Sequence, residues 1–316
     1  MAISDLKGRS LLCLADYTAE EIHSLVELAA QLKKESHEGR RGRRLEGYTL
    51  ALIFEKPSTR TRCAFETAFA EEGGHPVFLS PTDIHLGKKE TVEDTARVLG
   101  RMFDAIQFRG FDQGVVEKLA EYSGVPVYNG LTDLYHPTQI LADLQTIAEN
   151  FGDLKGRRVV YVGDARNNVA RSLMLGCAKL GLHFTAAAPA ELTPDSYSVD
   201  QAREFARESG SEITITTDPF AGVAGADVVY TDVWVSMGEE DKAAGRLKML
   251  APYRVTSELM SATGKKDSIF LHCLPAVRGN EMTDEVIEGP QSRVFDEAEN
   301  RKHTIKAVLL ASLGVL

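Results

Sequence analysis

The sequence predicts an α/β protein built as two doubly wound parallel-sheet domains joined by bridging helices. Three observations predict it. Short apolar runs rich in β-branched and aromatic residues alternate with helical patterns from residue 48 onward, which is the signature of parallel sheets. The alternation starts afresh at "RRVVYVGD" (157–164), after a long helical stretch at 136–152. The length, 316 residues, suits two domains of about 150 residues each.

The elements follow in order. Thr18 and Glu21 form a capping box for a helix whose apolar face is Ile22, Leu25, Val26, Ala29 and Leu32. "YTLALIF" (48–54) reads as a buried strand. The following "STRTRCAFETAFAEEGG" reads as a helix with apolar Ala64, Phe65, Ala68 and Phe69, ended by Gly73 and Gly74. Strands are expected at 77–80, 105–110 and 125–130, with helices at 90–102 and 114–124 between them. The 136–152 segment is one helix, and it places a boundary near residues 145–150. Beyond it, "RVVYVG", "HFTAAAP", "EITITT", "DVVYTDVW" and "SIFLHCLP" supply five more strands. The tail from 298 to 316 reads as an amphipathic helix with a strongly apolar end. Both domains are therefore expected to be Rossmann-like.

Composition narrows the function classes. Hydrophobic residues make up 43% and charged residues 26%, with a formal net charge of -10. That balance argues against a nucleic-acid or membrane-surface role, since both need a basic face. No apolar run reaches about 18 residues, so no transmembrane helix is expected. The N-terminal stretch lacks the apolar core of a secretory signal, and the chain reads as cytoplasmic. Cys13, Cys63, Cys177 and Cys273 lie far apart without a CxxC pair, which reads as reduced thiols. Without HExxH or EF-hand patterns, no structural metal is expected.

The chemistry-bearing residues cluster at strand ends. In "LIFEKPSTRTR" (52–62), a strand, Pro57 and a helix start arrive in order, with Ser58, Thr59, Arg60 and Thr61 at the start. Helix N-termini attract anions, hydroxyls add donors, and arginine adds a planar fork for phosphate. Arg109 ends another expected strand, in "QFRG". His136 and Gln139 stand at a helix start, where the positive helix end favours a neutral imidazole able to donate to a carbonyl oxygen. "VGDARNN" (162–168) follows a strand but has Ala165 and Asn168 where a dinucleotide fingerprint needs glycines. Asn167 and Asn168 are instead neutral partners for a carboxylate. Asp232 ends a strand and suits an ammonium group. His272 and Cys273 are adjacent on a strand, so they point to opposite faces and do not make a base–nucleophile pair. Each of these residues also has a bland reading as a cap, an ion pair or a packing group.

Taken together, the motifs resemble the aspartate/ornithine carbamoyltransferase family. The resemblance rests on "STRTR" (58–62), "FRG" (108–110), "HPTQ" (136–139), "DVWVSMG" (232–238), "HCLP" (272–275) and "ENR" (299–301), and it covers nearly the whole chain. The "SMG" loop and the Asn167–Asn168 pair resemble the ornithine branch. The resemblance implies a carbamoyl-phosphate-binding domain over 1–147, an ornithine-binding domain over 148–295, and a C-terminal helix, 296–316, packing back on the first domain. It implies that Ser58, Thr59, Arg60, Thr61 and Arg109 bind the phosphate of carbamoyl phosphate. Thr61, Arg109 and His136 would polarise its carbonyl oxygen. Gln139, the backbone carbonyls of Cys273 and Leu274, and Arg301 would surround the carbamoyl end. Asn168, Asp232, Ser236 and the backbone of Met237 would hold L-ornithine, with Asp232 and Cys273 orienting its δ-nitrogen. It further implies no metal or organic cofactor, and a homotrimer with active sites shared between subunits. His85 would then be a phosphate contact reaching a neighbouring subunit's site. Rival readings are a carbamoyltransferase for another amine, a nucleotide-dependent dehydrogenase, and a non-enzymatic phosphate-binding regulator. The retained "SMG" and Asn168 speak against putrescine, which has no α-carboxylate. The broken glycine pattern speaks against the dehydrogenase.

Overall fold

The computed structural model describes residues 3–80, 82, 84, 86–87, 89–235 and 243–316. The chain divides into two compact units: Met1–Gln145 with Glu299–Leu316, and Thr146–Ala298.

The first unit carries a four-stranded sheet of β1 (Thr49–Phe54), β2 (His75–Leu79), β3 (Ala105–Arg109) and β4 (Val127–Leu131). Its order is β2-β1-β3-β4 and every pairing is parallel. Helices α1 (Ala19–His37), α2 (Thr59–Glu71), α3 (Val92–Met102) and α4 (Gln113–Ser123) belong to this unit. The expected capping box opens α1: the Glu21 N–H donates to Thr18 Oγ1, and Glu21 Oε2 accepts from the Thr18 N–H. Ala51, Ile53, Ile106, Phe108 and Val127 form one core cluster with Ala96, Leu99, Val116 and Leu119. β2 begins at His75, two residues before the sequence suggests, and so includes Pro76. Proline lacks an N–H for the ladder, and β2 tolerates it because it lies at the sheet edge.

The second unit carries β5 (Arg158–Val162), β6 (His183–Ala187), β7 (Ile213–Thr216), β8 (Val228–Thr231) and β9 (Ile269–His272). The order is β7-β6-β5-β8-β9, again all parallel. Its larger helices are α6 (Asn168–Leu180) and α7 (Ser196–Ser209), with the shorter α8 (Pro219–Val223), α9 (Ala243–Leu250), α10 (Ser257–Ser261) and α11 (Asp284–Ile287). Val160, Val162, Val229 and Phe270 pack with Trp234, Leu259, Met282 and Ile287 in its core. Trp234, the chain's single tryptophan, is therefore a packing residue.

Two helices, α5 (Pro137–Phe151) and α12 (Val294–Leu313), run through the points of division. α12 starts four residues earlier than the sequence pattern suggests. Val294 and Glu297 are both buried. Glu297 accepts hydrogen bonds from the Tyr230 hydroxyl (3.2 Å) and the His272 N–H (3.0 Å). A buried carboxylate in the first turns hides the apolar face from a hydropathy reading. Among the described residues, no helix is long and apolar enough to cross a membrane.

Candidate active site

Open parallel sheets bind ligands outside the carboxyl ends of their strands, where the strand order reverses. In the first unit that reversal falls between β1 and β3. The loop after β1 leads into Ser58, Thr59, Arg60 and Thr61, and Arg109 is the last residue of β3. Ser58 caps α2, its Oγ accepting from the Thr61 N–H at 3.2 Å. Thr61 is buried, and its Oγ1 accepts from Arg109 Nη1 (3.2 Å) and Arg301 Nη2 (3.3 Å). Arg301 also donates to Gln139 Oε1 at 2.7 Å and Thr138 Oγ1 at 3.3 Å. Gln139 in turn donates from Nε2 to Asp143 Oδ1 at 2.8 Å. One hydroxyl thus indexes two guanidinium groups, and one amide fixes the second of them.

His136 sits just before α5 and is 4% exposed. Burial pulls its pKa well below the ordinary 6.5, and the charges of Arg301, Arg109 and Arg60 push it the same way. The imidazole is therefore neutral near pH 7 and surrounded by cations. Such a group can donate one hydrogen bond without adding charge of its own.

The flanking cations have separate roles. Lys56 is buried, pairs with Asp133 (2.6 Å) and lies 4.0 Å over the Phe111 ring. Arg62 pairs with Glu66 (2.9 Å) and covers Phe78 at 3.8 Å. Both are engaged by neighbouring side chains, and Lys56 is interior.

In the second unit the order reverses between β5 and β8, and the expected amino-acid-binding residues stand at those strand ends. Gly163 makes the turn after β5 with φ +132°, a value that only glycine takes easily. Asn167 caps α6, its Oδ1 accepting from the Ala170 N–H at 2.8 Å, and Asn168 is the first helical residue. Asp232 follows β8 and is 8% exposed. Its Oδ1 accepts from Cys273 Sγ (3.0 Å) and its own neighbour's N–H, that of Val233 (2.7 Å). Its Oδ2 faces Asn167 Nδ2 at 3.4 Å. The Cys273 thiol therefore points to a carboxylate. His272 Nδ1 instead accepts the Leu274 N–H at 2.9 Å, so the two side chains do not make a nucleophile–base pair. Leu274 has φ +56°, an uncommon value outside glycine and one that clusters at functional sites.

Asp232 and Cys273 are thus together in one unit, and Thr61, Arg109, His136, Gln139 and Arg301 are together in the other. Thr59 is exposed. His85, Ser236 and Met237 lie outside the described residues. The sequence reading missed Glu281. It is 1% exposed and accepts N–H bonds from Val277 (2.9 Å) and Trp234 (3.4 Å). Burial raises its pKa to about 7, and the Asp232 charge adds to the shift. No motif surrounds it, so only the fold reveals that it props the turn beyond Asp232. Asn167, which the sequence offers as a neutral partner for a carboxylate, faces the carboxylate of Asp232 and caps α6.

The fold and these two strand-end sets define a class: a two-unit α/β protein with an arginine cluster around a neutral histidine in one unit and a carboxylate–thiol pair in the other. Two family models match the chain. One, described as aspartate/ornithine carbamoyltransferase, carbamoyl-P binding domain, matches residues 9–149. The other, described as aspartate/ornithine carbamoyltransferase, Asp/Orn binding domain, matches residues 155–312. The ornithine carbamoyltransferase of Thermotoga petrophila is 63% identical over 309 residues, covering 98% of this chain and 99% of its own. That of Pseudothermotoga lettingae is 63% identical over 313 residues, covering 99% and 100%. The solved ornithine carbamoyltransferase of Pyrococcus furiosus superposes with a TM-score of 0.95 at 50% identity, covering 98% of this chain and 99% of that one. The chain belongs to the aspartate/ornithine carbamoyltransferase family.

Proposed function

We propose that the chain transfers the carbamoyl group of carbamoyl phosphate to the δ-amine of L-ornithine, giving L-citrulline and phosphate. The convergence of Arg109 and Arg301 on Thr61, beside a neutral His136, is the observation that carries this reading. Helix starts and guanidinium forks suit a phosphate, and a neutral imidazole suits a carbonyl oxygen.

Each residue then has a role. Ser58, Thr59, Arg60, Thr61 and Arg109 hold the phosphate. Thr61, Arg109 and His136 polarise the carbonyl, and Gln139, Arg301 and the carbonyls of Cys273 and Leu274 surround the carbamoyl amide. Asn168 and Asp232 hold the amino acid, together with Ser236 and Met237, and Cys273 and Asp232 orient the attacking nitrogen. The substrate ammonium loses a proton, and the freed lone pair forms the new N–C bond. The C–O bond to phosphate breaks as phosphate leaves with the electron pair, and the nitrogen gives up its second proton to that phosphate. Negative charge grows on the carbonyl oxygen and the leaving group. Preorganised cations and N–H donors stabilise that charge before it appears. The motif resemblance further supports a cytoplasmic homotrimer, with His85 reaching a neighbouring subunit's site; the mass in solution checks the trimer.

A citrulline-type assay with carbamoyl phosphate and a panel of ornithine, putrescine, aspartate and lysine tests the substrate. Ornithine should give the highest kcat/KM, and preference for any other amine overturns the assignment.

A further inference from the structure

We propose that His37, Glu299 and His303 form a binding site for a divalent transition-metal ion, with Zn2+ the ion their chemistry fits best. All three belong to the first unit. His37 is the last residue of α1, and Glu299 and His303 stand four apart on α12, which places them on one helix face. Both imidazole groups approach the same carboxylate oxygen. Glu299 Oε1 lies 2.6 Å from His37 Nε2 and 3.3 Å from His303 Nε2. The three candidate ligand atoms all lie within 4.8 Å of one another.

Zinc bonds of 2.0–2.1 Å in a tetrahedron put ligand atoms roughly 3.3 Å apart. Of the three pairs, Glu299–His303 already stands at that spacing, Glu299–His37 reaches it if His37, whose side chain is 59% exposed, swings outward, and His37–His303 lies within 4.8 Å. Two imidazole nitrogens and one carboxylate oxygen make a familiar zinc donor set. The exposed side leaves a fourth position for water.

The surroundings permit a cation. Lys302 and Lys306 are paired with Glu71 at 3.2 and 2.8 Å, and Lys306 also faces Glu72 at 3.5 Å. Lys33 donates to Asn300 Oδ1 at 2.8 Å. Burial keeps His303 neutral, with its pKa lowered to about 4, so its ring can offer a lone pair. Its Nδ1 is buried without a hydrogen-bond partner. A ring lacking an outer acceptor binds metal less tightly, so the expected affinity is below that of closed structural zinc sites. A bound ion would tie the end of α1 to the turn of α12 that carries Arg301. His37 and Glu299 are 262 positions apart, which is why no ligand spacing shows in the sequence.

The experiment uses the intact chain with Cys273→Ser, which removes the other grouping of ligand atoms among the described residues, Asp232, His272 and Cys273. Equilibrium dialysis should find one Zn2+ per chain, Co2+ should give the intense visible absorption of a tetrahedral site, and Zn2+ should raise Tm. Adding His37→Ala, at an exposed position, or Glu299→Gln should weaken binding by about tenfold or more and abolish the Co2+ band and the Tm gain. Failure of the Cys273→Ser chain to bind Zn2+ overturns the proposal. So does undiminished binding after both second-site changes.

Discussion

Burying a guanidinium is costly unless its donors are met, because arginine stays charged at any ordinary pH. Arg109 and Arg301 are 7% and 2% exposed, and both spend a donor on Thr61. Arg60 is half-buried at the same helix start. If these cations stabilise charge that develops during the reaction, Arg60→Gly should lower kcat/KM at least about a hundredfold. It should cost no more than about 1 kcal/mol of stability, since a glycine in a helix costs about that. Steady-state rates and urea melts of the same preparation check both. His136 supplies a pH prediction. Its folded pKa is lowered, so the charged form appears only well below the ordinary 6.5, and the ring stays neutral from there upward. A rise in rate through the neutral-to-alkaline range therefore belongs to the substrate amine. His136→Gln, which keeps an N–H donor, should lower kcat by about 10²–10³-fold yet leave the midpoint of that rise unmoved. A shifted midpoint in its pH–rate profile would mean the imidazole itself titrates there. The arginines and His136 were legible because they sit at strand and helix ends inside recognisable motifs. Glu281 was not, because its importance comes from the N–H groups of Trp234 and Val277 that the fold brings to it.

At the scale of elements, strand cores read almost directly. β1, β8 and β9 are near-continuous apolar runs because parallel strands are covered on both faces. The ends read less well: Pro76 argues against a strand and Glu297 against a buried helix turn, yet edge position and specific hydrogen bonds override both. The packing of α3 on α4 is a case that no periodicity foretells. A Cβ on Gly100 of α3 would stand 1.8 Å from the Ser123 carbonyl oxygen, a backbone atom that cannot rotate away. Gly100→Ala should therefore destabilise the first unit by at least about 2 kcal/mol, through overpacking. The shift is read from the denaturation midpoint with its slope unchanged.

At the scale of the whole molecule, the two units differ in how the chain builds them. The second is one continuous segment, Thr146–Ala298, whereas the first needs Met1–Gln145 and Glu299–Leu316 together. The closing segment brings Arg301 and the buried Ile305, Val308, Leu309 and Leu310. At about 1.5–3 kcal/mol for each large apolar side chain fully buried, removing them takes away as much as the usual 5–15 kcal/mol of total stability. A chain ending at Ala298 should therefore lose the unfolding transition of the first unit and keep that of the second. Its denaturation curve should show one transition with a smaller slope. The same connectivity dictates an order of events at the ribosome. Residues 1–145 are made first but stay incomplete until residues 299–316 have followed the whole of the second unit. Of the two units, the one begun first is completed second. Throughout translation its apolar β-strands wait with their closing helix unmade, the interval in which a chaperone would find something to hold.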